Sequence, residues 1–505
     1  MWRISDTCAF FLSEIDMSAS LPAVRQFSNE ARKNLAIESL SETKTITQLA
    51  KREGVSRKYL HLQKKVAIEA LDDAFAANEE TDVLFNLPVT KEWLNQAVLG
   101  LTLVCHSSYR GVIEFLRDHL GVSVSLGTVH NQIQHAAEQA ALINGAQDLG
   151  AIRVGLHDEI FQGDQPVLAG IDAASTYCYL LEGAEHRDAD TWGVHLLDAA
   201  ERGFAPDYTI ADAGQGLRAG QNIALGMTPC HGDVFHIQQQ CASLANVLDK
   251  TAKGATSRRV KLELEMAAAK AIGQGNTLSK KLAIARQGEA EKVQLARDVK
   301  TLVGWLSHDI LELAGPTLAI RKELYLFIVE QLQQRERIDQ RHVRPVRIAL
   351  KQQIDRLLAF AGVLDKRLAD IAQDHEAPHP LVREVCLLQR KSPLSTAYWQ
   401  RYDQLHKRLG GKFLRVFDAV IAAMQAIPRA SSLVENFNSR LRTYFFLRHQ
   451  LGQPYLRLLQ FFLNHRTFMR SRIAERTGKS PKELMTGEKH PHWLELLGFQ
   501  RFSPA

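Results

Sequence analysis

A stretch near the end of the chain, SSLVENFNSRLR (residues 431–442), combines side chains that could hold a metal ion and a phosphate together. If the stretch is helical, four polar residues recur at i, i+3, i+4 and i+7 and share one face. They are Glu435, Asn438, Ser439 and Arg442, beside an apolar stripe of Val434, Phe437, Leu441, Tyr444 and Phe445. The Ser432-x-x-Glu435 spacing also fits a capping box, in which Glu435 satisfies the helix start. The two roles are compatible.

Two aspartates are candidates for a shared site with Glu435. Asp158, in GLHDEIF, and Asp212, in TIADAGQG, each lie at or just beyond the predicted end of an apolar strand, where a sheet presents ligands. Carboxylates brought together there repel one another unless one is protonated or a cation bridges them. An oxygen-rich, cysteine-free set favours Mg²⁺ or Mn²⁺. Glu159 is a rival to Asp158, and Asp172 is a weaker one.

A histidine follows the second aspartate, in the stretch CHGDVFHI. Its His236 could contact a reacting phosphate, or it could simply pack at the start of a helix. A zinc site is a further alternative. It would use Cys230, His231, His236 and Cys241, but their spacing fits no usual zinc pattern.

The elements that must position these residues change in character along the chain. Residues 151–240 alternate β-rich runs with amphipathic helices, which predicts the first part of an α/β core. Residues 241–427 have helical periodicity almost throughout, which predicts a helical insertion. Residues 428–470 are expected to form the last helices of the core. Residues 471–505 are expected to form a basic C-terminal tail. The predicted fold class is therefore multidomain, with α and α/β parts.

The N-terminal part reads as helical DNA-binding units after an arm (residues 1–44). In residues 45–90, TITQLAKREGVSRKYLHLQKK places small and apolar residues and a turn glycine, Gly54, at the offsets of a helix-turn-helix. Ser56 could cap the second helix, whose expected DNA contacts are Arg57, Lys58, His61 and Lys64.

A second helical unit over residues 91–150 has a looser match to the same motif. Its last helix is expected to be capped by Ser125 and to expose Thr128, Asn131 and Gln132. Those side chains could face DNA, or the helix could serve packing or dimerisation.

Charge and composition narrow the possible binding partners and cellular locations of the protein. The net charge is only +6, but residues 43–66 hold seven Lys or Arg and one acid, and residues 439–482 hold ten and one. Basic segments at both ends predict contact with a polyanion, most simply nucleic acid. No apolar run reaches about 18 residues, and CAFFL near the N-terminus is too short for a signal peptide. Six scattered cysteines without a CxxC pair suggest a reducing cytosol. Met17 is an alternative start.

The order of these motifs resembles the DDE transposases of bacterial insertion sequences. GLHDEIF is similar to the family's first-aspartate strand, TIADAGQG to its second, SSLVENFNSRLR to its glutamate helix, and Asp233-x-x-His236 to an element some members carry.

The resemblance implies a ribonuclease-H-like core interrupted by the insertion, with Asp158, Asp212 and Glu435 holding Mg²⁺ or Mn²⁺ and His236 assisting. It further implies double-stranded DNA as partner, gripped in part by Arg440 and Arg442, a homo-oligomer on that DNA, and a cytoplasmic, nucleoid-associated location. A DNA-binding regulator with an inactive core is the alternative.

Overall fold

The computed structural model describes residues 27–75, 87–271, 278–429, 432–447, 451–471 and 473–502, with only the backbone described at Ser432. The chain divides into two compact units, Met1–Leu87 and Pro88–Ala505. The described part is mainly helical and contains one five-stranded sheet, as expected for a chain with α and α/β parts. Within the described residues, no helix combines the length and apolarity that membrane crossing requires.

Within residues 27–75, the N-terminal unit forms three helices, α1 (Asn29–Leu40), α2 (Ile46–Glu53) and α3 (Arg57–Phe75). Helix α2 ends at Gly54, whose φ of 66° lies in the left-handed region that glycine adopts without strain. Ser56 Oγ accepts the backbone N–H of Tyr59 at 3.1 Å, as the sequence predicts. Leu35, Leu49, Ala50 and Leu60 form the small core that joins the three helices.

Three helices open the larger unit: α4 (Lys91–Leu103), α5 (Tyr109–Leu120) and α6 (Leu126–Gly145). The predicted cap is present, because Ser125 Oγ accepts the backbone N–H of Thr128 at 3.0 Å. Helix α6 is buried along one side, which packs on the helix α18 (Gln453–His465). Its outer side leaves Thr128 and Asn131 exposed and Gln132 half-buried.

The sheet runs in the order β3-β2-β1-β4-β5. Its strands are β1 (Val154–Gln162), β2 (Gln165–Asp172), β3 (Cys178–Gly183), β4 (Tyr208–Ala211) and β5 (Cys230–Gly232). The first three form antiparallel pairs, whereas β4 is parallel to β1 and β5 is parallel to β4. The parallel half is short, since the pairing of β1 with β4 ends at Leu156 and Ile210.

Helices cover both faces of this sheet. One face packs against α6, α17 (Ser432–Phe446) and α18, and includes Leu156 and Ile160 of β1. The other face packs against α7 (Ala189–Glu201) and α8 (Gln215–Leu225). These two helices approach closely at Gly220, where a Cβ atom would lie 2.6 Å from both the Ala189 carbonyl oxygen and the Trp192 Cβ.

Between β5 and α17 the chain is helical, as its periodicity predicts, and the described residues 241–271 and 278–427 contain no strand. The helices are α9 (Val234–Ala271), α10 (Ser279–Trp305), α11 (Leu318–Arg335), α12 (Gln340–Leu357), α13 (Ala359–Asp374), α14 (His379–Leu388), α15 (Thr396–Leu409) and α16 (Phe413–Gln425). A π-helical turn, Leu306–Ile310, follows α10. These helices bury a single apolar core of their own. Two short helices, α19 (Pro481–Thr486) and α20 (Trp493–Leu496), end the described chain.

Candidate metal centre and cationic surface

Asp158, His236 and Glu435 converge from three distant parts of the chain. One potential ligand atom from each lies within 4.8 Å of the other two. Among the described residues this is the one such group of three acids, histidines or cysteines. The contributing elements are β1, the first turn of α9 and the first turn of α17. A site that joins residues so far apart in sequence depends on the whole α/β region being folded.

The strand alternation selects Asp158 over its neighbours. Successive side chains of a strand point to opposite faces, so Asp158 lies on the α17 face with Leu156 and Ile160. Glu159 points to the other face, where it accepts the Trp192 Nε1–H at 3.1 Å and pairs with Arg187 at 3.0 Å. Glu159 is therefore not part of the cluster.

The second alternative to Asp158 is Asp172, whose side chain stabilises a turn. Its carboxylate accepts the backbone N–H of Ser175 at 2.8 Å and the Ser175 hydroxyl at 2.5 Å. It is buried and lies outside the cluster.

The sequence-based position of Asp158 within its strand was wrong. Asp158 lies in the middle of β1, not at its end, because the hairpin with β2 extends β1 to Gln162. What ends near Asp158 is the neighbouring parallel strand. Asp158 and Asp212 each stand two residues beyond Leu156 and Ile210, the last paired residues of β1 and β4. The two aspartates therefore follow adjacent strands in register.

Asp212 lies next to the cluster without being part of it. It immediately follows β4, and its Oδ1 accepts the backbone N–H of Gly214 at 2.8 Å. Its charge nevertheless acts on the Asp158 carboxyl. The structure thus brings Asp158 and Glu435 together and leaves Asp212 beside them, half-buried.

Helix α17 presents Glu435 and Asn438 to the cluster, at the i, i+3 spacing that puts both on one face. Asn438 is buried and its Nδ2–H donates to Asp158 Oδ2 at 2.8 Å, a direct contact that the sequence did not predict. Glu435 lies 3.8 Å from His236 Nε2 and 3.8 Å from the exposed Arg442 guanidinium. The predicted Ser432 cap falls outside the described side chains.

His236 enters the cluster from the start of α9. Its Nε2 lies 3.6 Å from the buried Asp233 carboxylate, which itself accepts the backbone N–H of Phe235 at 2.8 Å. The Asp233-x-x-His236 spacing therefore orients the imidazole toward Asp158 and Glu435. The other members of the zinc alternative do not join it: Cys241 is buried in the helical core, and His231 stacks on Tyr208 with ring centroids 4.1 Å apart.

The electrostatics of the cluster favour a bound cation. The pKa of Asp158 is raised to about 7, mainly by burial and to a smaller degree by the charges of Glu435 and Asp212. The hydrogen bond from the Glu159 N–H and the nearby His236 oppose this rise. A divalent ion would neutralise these carboxylates and remove that cost. Two carboxylates and an imidazole suit Mn²⁺ well, while Mg²⁺ prefers the oxygens alone. The donor set therefore fits a hard divalent metal.

A second face of α17 lines a cationic cavity of about 680 Å³. The described residues that surround it include four arginines: Arg440, Arg466, Arg470 and Arg476. Arg476 donates to the Ala174 carbonyl oxygen, but the side chains of the other three make no hydrogen bond or ion pair within the described part of the chain. Phe468, which is half-buried, adds aromatic surface, whereas Phe437 is buried. We call this the arginine cavity.

Of the predicted DNA contacts in the N-terminal unit, Arg57, Lys58 and His61 are exposed on α3. Lys64 is half-buried, and its ammonium pairs with Glu42 at 3.2 Å. The basic count over residues 439–482 was the sequence signal for the arginine cavity, although it could not say which arginines would meet.

No model of a known protein family matches this chain, and no curated protein shows significant similarity to it. The function is therefore inferred from the chain's own residues.

Proposed function

We propose that this protein is a DDE-type transposase, which cuts DNA at the ends of a mobile element and joins those ends to target DNA with Mg²⁺ or Mn²⁺. The observation that carries the proposal is the convergence of Asp158, Glu435 and His236, with Asp212 alongside. A helical stretch of nearly 190 residues separates the strands from the glutamate helix, as the resemblance implies.

The strand order supports a ribonuclease-H-like core. An antiparallel β1–β2–β3 meander, continued by two parallel strands on the other side of β1, is the arrangement that the resemblance implies. In that arrangement the first acid lies on the central strand and the second follows the adjacent parallel strand, which are the positions of Asp158 and Asp212.

Each residue has a definite task in this proposal. Asp158, Asp212 and Glu435 would hold the metal, which supplies activation of the attacking hydroxyl and stabilisation of the leaving oxygen. Asn438 holds the Asp158 carboxylate in place through its Nδ2–H. His236 is positioned to act on a phosphate oxygen or to complete the metal shell. Arg442, exposed at the edge of the cluster, would neutralise the backbone of the bound strand.

The arginine cavity supports DNA as the substrate. Unpaired guanidinium groups facing one cavity repel each other, and burial lowers the pKa of Arg440, which the nearby charge of Arg466 lowers further. Backbone phosphates would relieve this repulsion, and the Phe468 ring could pack against a sugar or a base. The cavity and Glu435 lie on different faces of the same helix, α17.

The test uses purified protein, DNA carrying the sequences that flank its gene, and Mg²⁺ or Mn²⁺. Asp158→Asn, Asp212→Asn and Glu435→Gln should each bind this DNA normally and cut it no faster than background. Glu159→Gln is the matched control, since it changes the adjacent acid on the other sheet face and should still cut. Normal cleavage by Asp158→Asn would contradict the proposal.

Specific binding of the element ends should be separable from DNA cleavage. Replacing the exposed Arg57 and Lys58 with Ala should weaken end binding and lower the salt slope by about 1 for each lost phosphate contact. Any lost base contact would cost about 1–3 kcal/mol in discrimination. Metal-dependent nicking of nonspecific DNA at saturating protein should persist in this variant.

One observation favours the regulator alternative. Glu435 already has two nitrogen-bearing neighbours, the His236 imidazole and the Arg442 guanidinium, each at 3.8 Å, so the glutamate has polar partners without any metal. Wild-type protein that binds the flanking DNA specifically, yet never nicks it with either metal, would establish that alternative.

A further inference from the structure

A second group of cationic side chains lies where the α/β region meets the helical stretch. It lines a cavity of about 480 Å³ between α8, β5 and the end of α12. The lining residues are Arg218, Ala219, Gln221, Asn222, Thr228, Cys230 and Arg356. No carboxylate is among them. We call this the junction cavity.

Arg218 is held with most of its hydrogen-bonding capacity unused. Its Nε–H donates to the Asp212 backbone carbonyl at 2.7 Å, which fixes the guanidinium beside the second candidate aspartate. Its Nη2 is shielded from solvent and has no hydrogen-bond partner among the described residues. A shielded guanidinium nitrogen without an acceptor is costly, so an acceptor in this cavity would be stabilising.

Arg356 brings a second positive charge to the same cavity. It is exposed, and its side chain makes no hydrogen bond or ion pair within the described residues. The two guanidinium groups repel each other, and the nearby Asp212 charge offsets this only in part. A bound anion would convert the repulsion into two attractions. Two arginines with their planar donor forks match the geometry of a phosphoryl group better than that of a spherical ion.

We infer that the junction cavity is a binding site for a phosphoryl oxyanion, with Arg218 and Arg356 as its two arms. Asn222 and Thr228 add neutral polar groups at its edge. This inference goes beyond the proposed function, since it requires neither a metal ion nor cleavage. The phosphoryl group could belong to a DNA backbone or to free phosphate, and the two sources are distinguishable.

Because Arg356 belongs to the helical stretch and Arg218 follows Asp212, an occupied site would tie the two regions together. A DNA phosphate bound there would contact Arg218, which in turn donates a hydrogen bond to the Asp212 backbone carbonyl. The helical stretch would then contribute directly to substrate binding through one side chain.

Cys230 provides a reporter inside the cavity. It is half-buried, whereas Cys178, Cys241 and Cys386 are buried, and Cys105 is exposed. In protein carrying Cys8→Ser and Cys105→Ser, the rate of Cys230 alkylation is measured by peptide mass spectrometry. A ligand at about ten times its dissociation constant should slow this labelling about tenfold, because only the free protein reacts. Inorganic phosphate and a short DNA duplex are tested separately.

Arg356→Ala should abolish the protection, and Arg356→Lys should restore part of it. Arg341→Ala is the matched control, since it removes an exposed arginine from the same helix, outside the cavity. Protection by both probes supports a site used by DNA, and protection by phosphate alone supports one for free phosphate. Unchanged labelling with both probes, or full protection in a folded Arg356→Ala variant, would overturn the inference. Glu435→Gln should keep the protection, so failure of cleavage and failure of this site are distinguishable.

Discussion

The region around the sheet and the helical stretch of residues 241–427 differ in which polar groups they bury. Around the sheet the buried polar residues include His157, Asp158, Thr209, Gln221, His231, Asp233 and Asn438. In the described parts of the helical stretch the buried polar residues are Arg321 and Arg383. Arg321 binds backbone carbonyls, and Arg383 pairs with Asp365. The two buried arginines of the helical stretch thus hold parts of the fold together, although Nε of Arg383 has no partner among the described residues. Around the sheet a larger number of buried polar groups are incompletely paired.

This difference has an energetic meaning. A buried polar group that is fully paired within the chain adds to stability, while one that is incompletely paired lowers it. Nη2 of Arg218, Nδ1 of His157 and Oδ1 of Asn438 all lack partners among the described residues. We interpret the Arg218 and Asn438 groups as prepared for a ligand, at a cost in the stability of the free protein, whereas His157 is fully buried among aromatic side chains. Substitutions should therefore have opposite effects on stability in the two regions.

The largest effect is expected at Arg321, which is fully buried. It donates to the carbonyl oxygens of Pro316, Glu312 and Leu313 at 2.6–2.8 Å and also to that of Ile310, so it holds the turn after the π-helical segment. Arg321→Met keeps much of the volume and leaves these acceptors unpaired. It should lower the free energy of unfolding by about 3–5 kcal/mol in urea denaturation.

Lys322→Met is the control for that measurement. Its side chain is 42% exposed, and its ion pair with Asp355 lies at the surface. Because surface ion pairs contribute little, the loss should stay below about 1 kcal/mol. Equal losses in the two variants would contradict a structural role specific to Arg321.

Asp158→Asn should act in the opposite direction. The folded-state pKa of Asp158 is raised from 3.8 to about 7 by burial, so its contribution to stability is present below pH 3.8 and is lost as pH rises through 7. The amide avoids that loss, and its N–H can donate to Asn438 Oδ1, which now lacks a partner. The metal-free variant should be more stable than wild type by about 2 kcal/mol at pH 8 and by little at pH 4.

Thermal unfolding at several pH values, with and without Mn²⁺, checks this prediction. Mn²⁺ should stabilise the wild type at pH 8 and have little effect on Asp158→Asn. Glu159→Gln, on the other face of the sheet, should not gain stability. If Asp158→Asn is less stable than wild type at pH 8 without metal, the prediction is wrong and the Asp158 carboxylate stabilises the fold.

A smaller effect with a different pH dependence is expected at His231. Burial lowers its pKa from 6.5 to about 4, so its contribution to stability is present above pH 6.5 and is lost as pH falls through 4. His231→Phe keeps the ring that stacks on Tyr208 and removes the titration. Between pH 7 and pH 4 the variant should lose about 1–2 kcal/mol less than wild type. The exposed His135→Phe should follow the wild-type profile, and a matching profile for His231→Phe would refute the prediction.

Local signals in the sequence were sufficient for many of the helices, for two of their caps and for the alternation of strands and helices along the chain. Ser56 and Ser125 were predicted as caps because a cap needs only a few neighbouring residues. The cluster was harder to predict, since it depends on which strand pairs with which and for how long. The hairpin that extends β1 past Asp158, and the contact from Asn438 across 280 positions, are set by tertiary packing. Nothing in the sequence indicated that Arg218 and Arg356 would line the same cavity.

The smallest stability change is expected at Arg440, where the comparison between regions is tested most sharply. Arg440 is half-buried in the arginine cavity and has neither a hydrogen bond nor an ion pair within the described residues, so the fold gains little from its charge. Arg440→Gln should leave the free energy of unfolding within about 0.5 kcal/mol of wild type. If the charge serves DNA, the same substitution should lower the salt slope of DNA binding by about 1 and weaken binding equally for all sequences. Arg415→Gln, which removes an exposed arginine of α16 outside this cavity, is the control and should change neither quantity. A marked loss of stability in Arg440→Gln with an unchanged salt slope would place Arg440 with Arg321, among the charges that hold the protein together.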